Sequence, residues 1–186
     1  MKRTFAAIIV LFTLALPAIA AASTWTIDPE HSYVGFKVRH LMVSNVKGNF
    51  TTFNGTVDLD DQDVARSKVT VNIDNNSIDT DVQKRDEHLR SADFLDVAKY
   101  PAMTFTSKKI ARNGKDRLAI TGDLTLHGVT RPTVWAVTGS FAGSRITGSA
   151  RTRFKFADFN LEIPRLAFLL SVQDSIRLEY DFVFER

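Results

Sequence analysis

The chain contains no cysteine, so a disulfide, a thiol nucleophile and a lipid-modified N-terminal cysteine are all excluded. Small exported folds often lean on disulfides; this one has to stand on its core. A domain of its size buries roughly 70% of the surface that its unfolded chain exposes, enough for one unstapled unit. There is no Pro/Gly/Ser-rich linker, repeat or low-complexity tract, and one domain is the economical reading. The four histidines, His31, His40, His88 and His127, share no H-x-H or H-E-x-x-H spacing, which argues against a metal site. The acidic run Asp58 to Asp63 lacks the glycine and terminal glutamate of a calcium loop. No G-x-S-x-G motif and no glycine-rich phosphate loop occurs. An excess of charge of either sign is lacking as well. The formal net charge of +3 falls to +1 once Lys2 and Arg3 are removed, so nothing general points to nucleic acid.

What is present begins with an export signal. Lys2 and Arg3 precede an apolar run, Ala6 to Leu16, broken only by Thr13, and Pro17 with Ala18-Ile19-Ala20 supplies a small-x-small cleavage site. Residues 1–20 read as a cleaved secretory signal peptide and residues 21–186 as the mature domain, with cleavage after Ala22 as the alternative. The apolar run is too short to span a bilayer, and no later stretch approaches that length.

The mature chain is dominated by a period of two. Ile176, Leu178, Tyr180, Phe182 and Phe184 alternate with Arg177, Glu179, Asp181 and Glu185. Similar alternation covers 31–40, 53–60, 69–73, 103–110, 117–126, 133–141 and 145–156, with hairpin signals at Asn113-Gly114 and Gly143-Ser144. About eight antiparallel strands with one wet and one dry face predict an all-β barrel or sandwich. An eight-stranded barrel either fills with side chains or holds one ligand. Its inward set is predicted to include Phe36, Val38, Phe53, Val57, Val71, Phe105, Leu124, Val137, Phe154, Leu178, Tyr180 and Phe182. Fourteen phenylalanines against three tyrosines and two tryptophans make a dry aromatic composition, suited to hydrocarbon or to an ordinary core. Two stretches break the rhythm. Asp81 to Ala98 reads as helical, with Thr80 and Gln83 as a capping box, Ser91 capping a second short turn, and Phe94, Leu95 and Val97 on its apolar side. Asn160 to Gln173, with Pro164 and the apolar run Leu166 to Leu170, reads as irregular.

Several blocks in this order resemble the YceI-like family of periplasmic polyisoprenoid-binding proteins. They are Trp25-Thr-Ile-Asp28, His31-Ser32, Val46-Lys-Gly-Asn-Phe50, Phe53-Asn-Gly55, His88-Leu-Arg-Ser-Ala-Asp-Phe94, Lys99-Tyr-Pro101 through Ser107, and Ile120 through Pro132. The resemblance implies an eight-stranded antiparallel lipocalin-like barrel with a short helix beside it. It further implies an apolar tunnel for an isoprenoid or similar long acyl chain, a carrier or storage role in the periplasm, and no catalytic residues or cofactor. A homodimer and transient membrane contact are compatible with that picture. One departure stands out: only short turns lie between Trp135 and Phe154, where many relatives carry a longer glycine-rich loop, which places the head-group rim in question. For that head group Arg90 is the first candidate, since guanidinium suits phosphate. Pairing of Arg90 with Asp93 or Asp96 to pin the helix is the plainer role. His40, at a strand end, is a second candidate contact or a structural histidine. Two other readings stay open: an enzyme acting on the bound lipid through His40 or Arg90, and an outer-membrane barrel, whose strands alternate in the same way.

Overall fold

The computed structural model of the chain describes residues 23–40, 44–163 and 172–186. The proposed signal peptide and the run Leu166 to Leu170 lie outside the described residues. Eleven strands form one antiparallel sheet: β1 (Ser23–Ile27), β2 (Tyr33–His40), β3 (Ser44–Phe50), β4 (Phe53–Leu59), β5 (Lys68–Asp74), β6 (Ile78–Asp79), β7 (Ala102–Arg112), β8 (Arg117–Leu126), β9 (Val129–Ala142), β10 (Arg145–Phe154) and β11 (Val172–Glu185). The order β1-β4-β5-β7-β8-β9-β10-β11 closes on itself through β1 and β11, giving an eight-stranded barrel. The remaining three, β2, β3 and β6, continue β1, β4 and β5 past a break in each, pairing β11–β2–β3–β6. Eight long staves therefore follow chain order around the barrel, three of them bent.

The three bends sit side by side and hold one another. Asp28 caps a 3-10 turn at Pro29–His31 by accepting from the Glu30 amide at 3.0 Å. Thr51 N–H donates to the Ser77 carbonyl at 3.1 Å, and Asp74 N–H to the Thr52 carbonyl at 3.0 Å. Asn75, fully buried, donates from its backbone to the Pro101 carbonyl and from Nδ2 to the Tyr100 carbonyl at 2.9 Å. Backbone groups released from the ladder are thus taken up locally, as buried polar groups require.

Beyond the bend the sheet lacks a strand. β6 pairs only with β3, while β7 begins at Ala102 opposite Asp74. Helix α1 (Gln83–Arg90) fills that gap and buries Leu89, with Phe94 and Leu95 in the turns that follow. The helix is shorter than the periodicity suggests. It stops at Ser91, whose hydroxyl donates to the His88 carbonyl and accepts from the Asp93 amide. Asp96, at φ 45°, lies in a region where a helix cannot continue. The expected capping box is absent: Val82 occupies the N-cap without a side-chain bond, and the Thr80 hydroxyl is engaged by Arg85 and Asp86 instead.

Both predicted hairpins are present. Asn113 N–H donates to the Arg117 carbonyl at 2.8 Å around Gly114 (φ 113°), and Gly143 (φ 61°) with Ser144 joins β9 to β10. A third, His127-Gly128, joins β8 to β9 with both residues at positive φ, 51° and 72°, the signature of a type I′ turn. At the end of the barrel bearing the Gly143 turn, Trp25 is 1% exposed and meets Phe141 edge-on at 5.4 Å. The shortened turn thus lies at the end of the barrel opposite α1.

Candidate functional site

Inward side chains leave two adjoining apolar lobes. An inner lobe of about 160 Å³ is lined by Val57, Val71, Phe105, Leu124, Val137, Tyr180 and Phe182, together with Ile120, Trp135 and Phe184. A wide lobe of about 500 Å³ lies beneath α1, lined by Phe36, Val38, Phe94 and Phe154 with Leu89, Leu95, Leu126 and Phe156. Met103 and Leu178 line both. They come from β7 and β11, are 1% and 4% exposed, and form the waist between the lobes. Together the lobes reach the size of ordinary small-molecule pockets, about 300–1,000 Å³.

Glycines help to keep the inner lobe open. A Cβ on Gly122 would meet the Phe105 ring at 2.6 Å, and one on Gly148 the Phe182 ring at 2.7 Å. The absence of those Cβ atoms leaves room for the tips of both rings on the neighbouring strands. β9 and β11, fourteen residues each, rise about 46 Å along the strand and about 33 Å along a barrel axis tilted by some 45°.

The lobes differ in polarity. Besides Tyr180, the inner lobe's polar lining residues are Ser67, Thr104 and Glu179. The Tyr180 hydroxyl is buried with no hydrogen-bond partner among the described residues, and burial pushes its pKa well above the ordinary phenol value. The wide lobe is reached by Lys84, Arg85 and His88 of α1. Arg85 donates from Nε to the Thr80 hydroxyl at 2.8 Å and from Nη2 to the Thr80 carbonyl at 2.7 Å, while that hydroxyl donates to Oδ1 of buried Asp86. Sequence reasoning passed over Met103, Trp135, Lys84 and Arg85. Met103 and Trp135 continue the alternation of β7 and β9 and could have been found from it.

Two of the sequence-predicted site residues, Phe53 and Arg90, are placed apart from the lobes, and the side chain of a third, His40, is not among the described ones. Phe53 is buried behind the lining, edge-on to Tyr180 at 6.0 Å. His40 ends β2, its backbone registered with Ser44 and Val172; its side chain lies outside the described part of the structure. Arg90 pairs with neither Asp93 nor Asp96. Its Nε donates to the Asn76 carbonyl at 2.8 Å and its Nη2 to the Ile78 carbonyl at 2.6 Å. The Ile78 carbonyl lies on β6, at the edge left open where the sheet lacks a strand, and the Asn76 carbonyl lies in the 3-10 turn just before it, so Arg90 ties α1 to both.

A YceI-like domain model matches residues 25–184. The chain belongs to the YceI-like family. A UPF0312 protein of Vibrio campbellii is 41% identical over 172 residues, covering 88% of this chain and 90% of the relative. Protein YceI of Escherichia coli O157:H7 is 42% identical over 151 residues, 77% of this chain and 78% of that one. Among solved structures, the Campylobacter jejuni YceI protein superposes with a TM-score of 0.70 at 31% identity, covering 81% of this chain and 90% of its own. Burkholderia cenocepacia BcnA superposes at 0.78 with 24% identity over 84% and 98%. A polyisoprenoid binding domain of Saccharophagus degradans does so at 0.67 with 20% identity over 87% and 97%. The eight-stranded barrel with one helix is thus the YceI-like fold, and the two lobes of this YceI-like chain lie inside it.

The outer face bears on one open alternative. Arg39, Lys47, Arg151, Arg153 and Arg177 are exposed on the strands around the wide lobe, and Lys37 is half-exposed and pairs with Glu179. Apolar inside and charged outside is the reverse of a lipid-embedded barrel, which carries its apolar band outward. Among the described residues no helix is long and apolar enough to cross a membrane.

Proposed function

We propose that this chain is a periplasmic binding protein that carries or stores a polyisoprenoid or similar long-chain lipid in its two-lobed tunnel. The observation that carries this reading is the pair of adjoining apolar lobes, both bordered by Met103 and Leu178, with Lys84, Arg85 and His88 of α1 reaching the wide one. The description of the Saccharophagus degradans domain as polyisoprenoid binding supports the ligand class, and the N-terminal signal supports the compartment. Drug-sized ligands gain up to roughly 0.3 kcal/mol per heavy atom, so a forty-carbon chain reaches about 12 kcal/mol without an ionic anchor. In this reading the tail occupies the inner lobe and the polar head stays beside Lys84, Arg85 and His88, where cations can meet a phosphate or another acceptor.

Mass spectrometry of the organic extract from protein purified natively out of the periplasm tests the reading. A stoichiometric prenyl or long acyl lipid is expected. Protein that is empty as isolated and takes up no added polyprenol contradicts it.

A further inference from the structure

The strands that wall the wide lobe carry an arrangement that costs stability. Arg153 on β10 stands directly opposite Arg177 on β11, Arg177 opposite Lys37 on β2, and Lys37 opposite Lys47 on β3. Four cations thus form a row across four adjacent strands, about 14 Å wide at the usual strand spacing. Like charges directly opposite in a sheet repel and destabilise the pairing. Arg39, Arg151 and Lys155 extend the row into a patch and are all exposed. Carboxylates share this face. Glu179 accepts an ion pair from Lys37 and a longer one, 3.7 Å, from Arg177, and stands directly opposite Arg151. Asp158 lies beside Lys155 and accepts from its backbone N–H. Asp174 accepts from the Phe156 amide, and Asp181 is exposed farther along β11. Arg153, Lys47, Arg39, Arg151 and Lys155 form no ion pair among the described residues, and segments 1–22, 41–43 and 164–171 contain no acidic residue that could supply one.

Next to these cations in sequence, and pointing the opposite way, are Phe154, Ile176, Val38 and Val46, all lining the wide lobe. One patch of sheet is therefore cationic outside and lobe wall inside. Val134 on the neighbouring β9 stands 59% exposed beside it.

We propose that this face is a docking surface for an anionic phospholipid bilayer. Arginine and lysine suit the phosphates of lipid head groups, and Val134 is placed to enter the shallow boundary beneath them. Docking there sets the wall of the wide lobe against the surface from which a long-chain lipid comes. That purpose rests on the carrier reading. The surface itself does not, because vesicle binding can be measured whatever the tunnel holds.

Co-sedimentation with vesicles of phosphatidylcholine, alone or with one third phosphatidylglycerol, tests the proposal on the wild type and on the triple variant R153Q/R177Q/K47Q. The wild type binds the anionic vesicles alone, and high salt releases it. At about 1 kcal/mol per basic residue at a membrane surface, the triple variant partitions roughly a hundredfold more weakly. Because repulsion is relieved, it melts no lower than the wild type. Uptake of a polyprenol probe is unchanged in the variant, and loss of that uptake in the wild type bears on the carrier reading alone. Wild type indifferent to phosphatidylglycerol, a variant that binds like wild type, or duplex DNA held more tightly than the vesicles overturns the assignment. A triple variant that melts lower overturns its premise.

Discussion

The inner lobe and the aromatic cluster beside the wide lobe are built from the same residue types, yet the cluster holds a ring, Phe159, that borders neither lobe. In the cluster, Phe156 and Phe159 are 2% and 0% exposed, Phe156 edge-on to Phe94 at 5.9 Å and Phe159 edge-on to Phe154 at 4.8 Å. In the inner lobe, Phe105, Phe182 and Trp135 leave about 160 Å³ unfilled. Aromatic pairing does not separate them, since Phe105 meets Trp135 edge-on at 5.5 Å and Phe182 meets Tyr180 edge-on at 5.8 Å. The difference is position: Phe159 borders neither lobe, whereas Phe105 and Phe182 line the inner one, with Gly122 and Gly148 beside their ring tips where a Cβ would clash.

Truncation should separate the two regions most strongly. Phe159→Ala removes a ring packed on all sides and is expected to cost about 3–5 kcal/mol. Phe182→Ala, which enlarges a space already present, is expected to cost clearly less, and paired chemical denaturation curves check the order. Equal losses would erase the distinction between packed and lining aromatics.

Next in size is the waist. Leu178→Trp fills the junction of the lobes, at about 1–3 kcal/mol of overpacking. It should weaken a long polyprenol by about a hundredfold while sparing a ligand short enough for the wide lobe, a split readable by competition against a fluorescent apolar probe. Tyr180→Phe acts on the one buried hydroxyl without a partner in the inner lobe. Removing an unsatisfied polar group should raise the stability of the empty protein by about 1 kcal/mol, measured by thermal melting.

The smallest effect lies on the outer face. Lys37 beside Glu179 holds that carboxyl below the usual carboxylate range. A depressed carboxyl contributes stability that is present above its unfolded pKa and lost as pH falls through the folded one. Glu179→Gln should therefore cost up to about 1 kcal/mol near neutrality, and the gap to wild type should close as the pH drops below about 4, as followed by melting across pH.

Much of this was legible in the sequence because a period of two assigns inside and outside residue by residue. All twelve residues expected inward are buried or half-buried, and the eight runs of alternation correspond to the eight staves. β3 escaped the pattern because Gly48 occupies an inward position; a Cβ there would meet the Phe36 ring at 2.5 Å. The capping box at Thr80 failed for a tertiary reason. Arg85 and Asp86 claim that hydroxyl, and nothing in a local window announces it. Arg90 was singled out for its charge, but the carbonyls it serves, on the turn Asn75–Ser77 and on the open edge of β6, are brought to it only by the fold. The cation row needed strand register, which alternation alone does not supply.

The central claim is that one continuous apolar tunnel takes a linear hydrocarbon chain. Displacement of a fluorescent apolar probe by polyprenols of increasing length tests it directly. At roughly 0.3 kcal/mol per heavy atom, each five-carbon unit should tighten binding by about tenfold, until the inner lobe is full and affinity levels off. Leu178→Trp should bring that plateau to a shorter chain. Affinity independent of chain length, or a plateau unmoved by the waist substitution, would contradict the account.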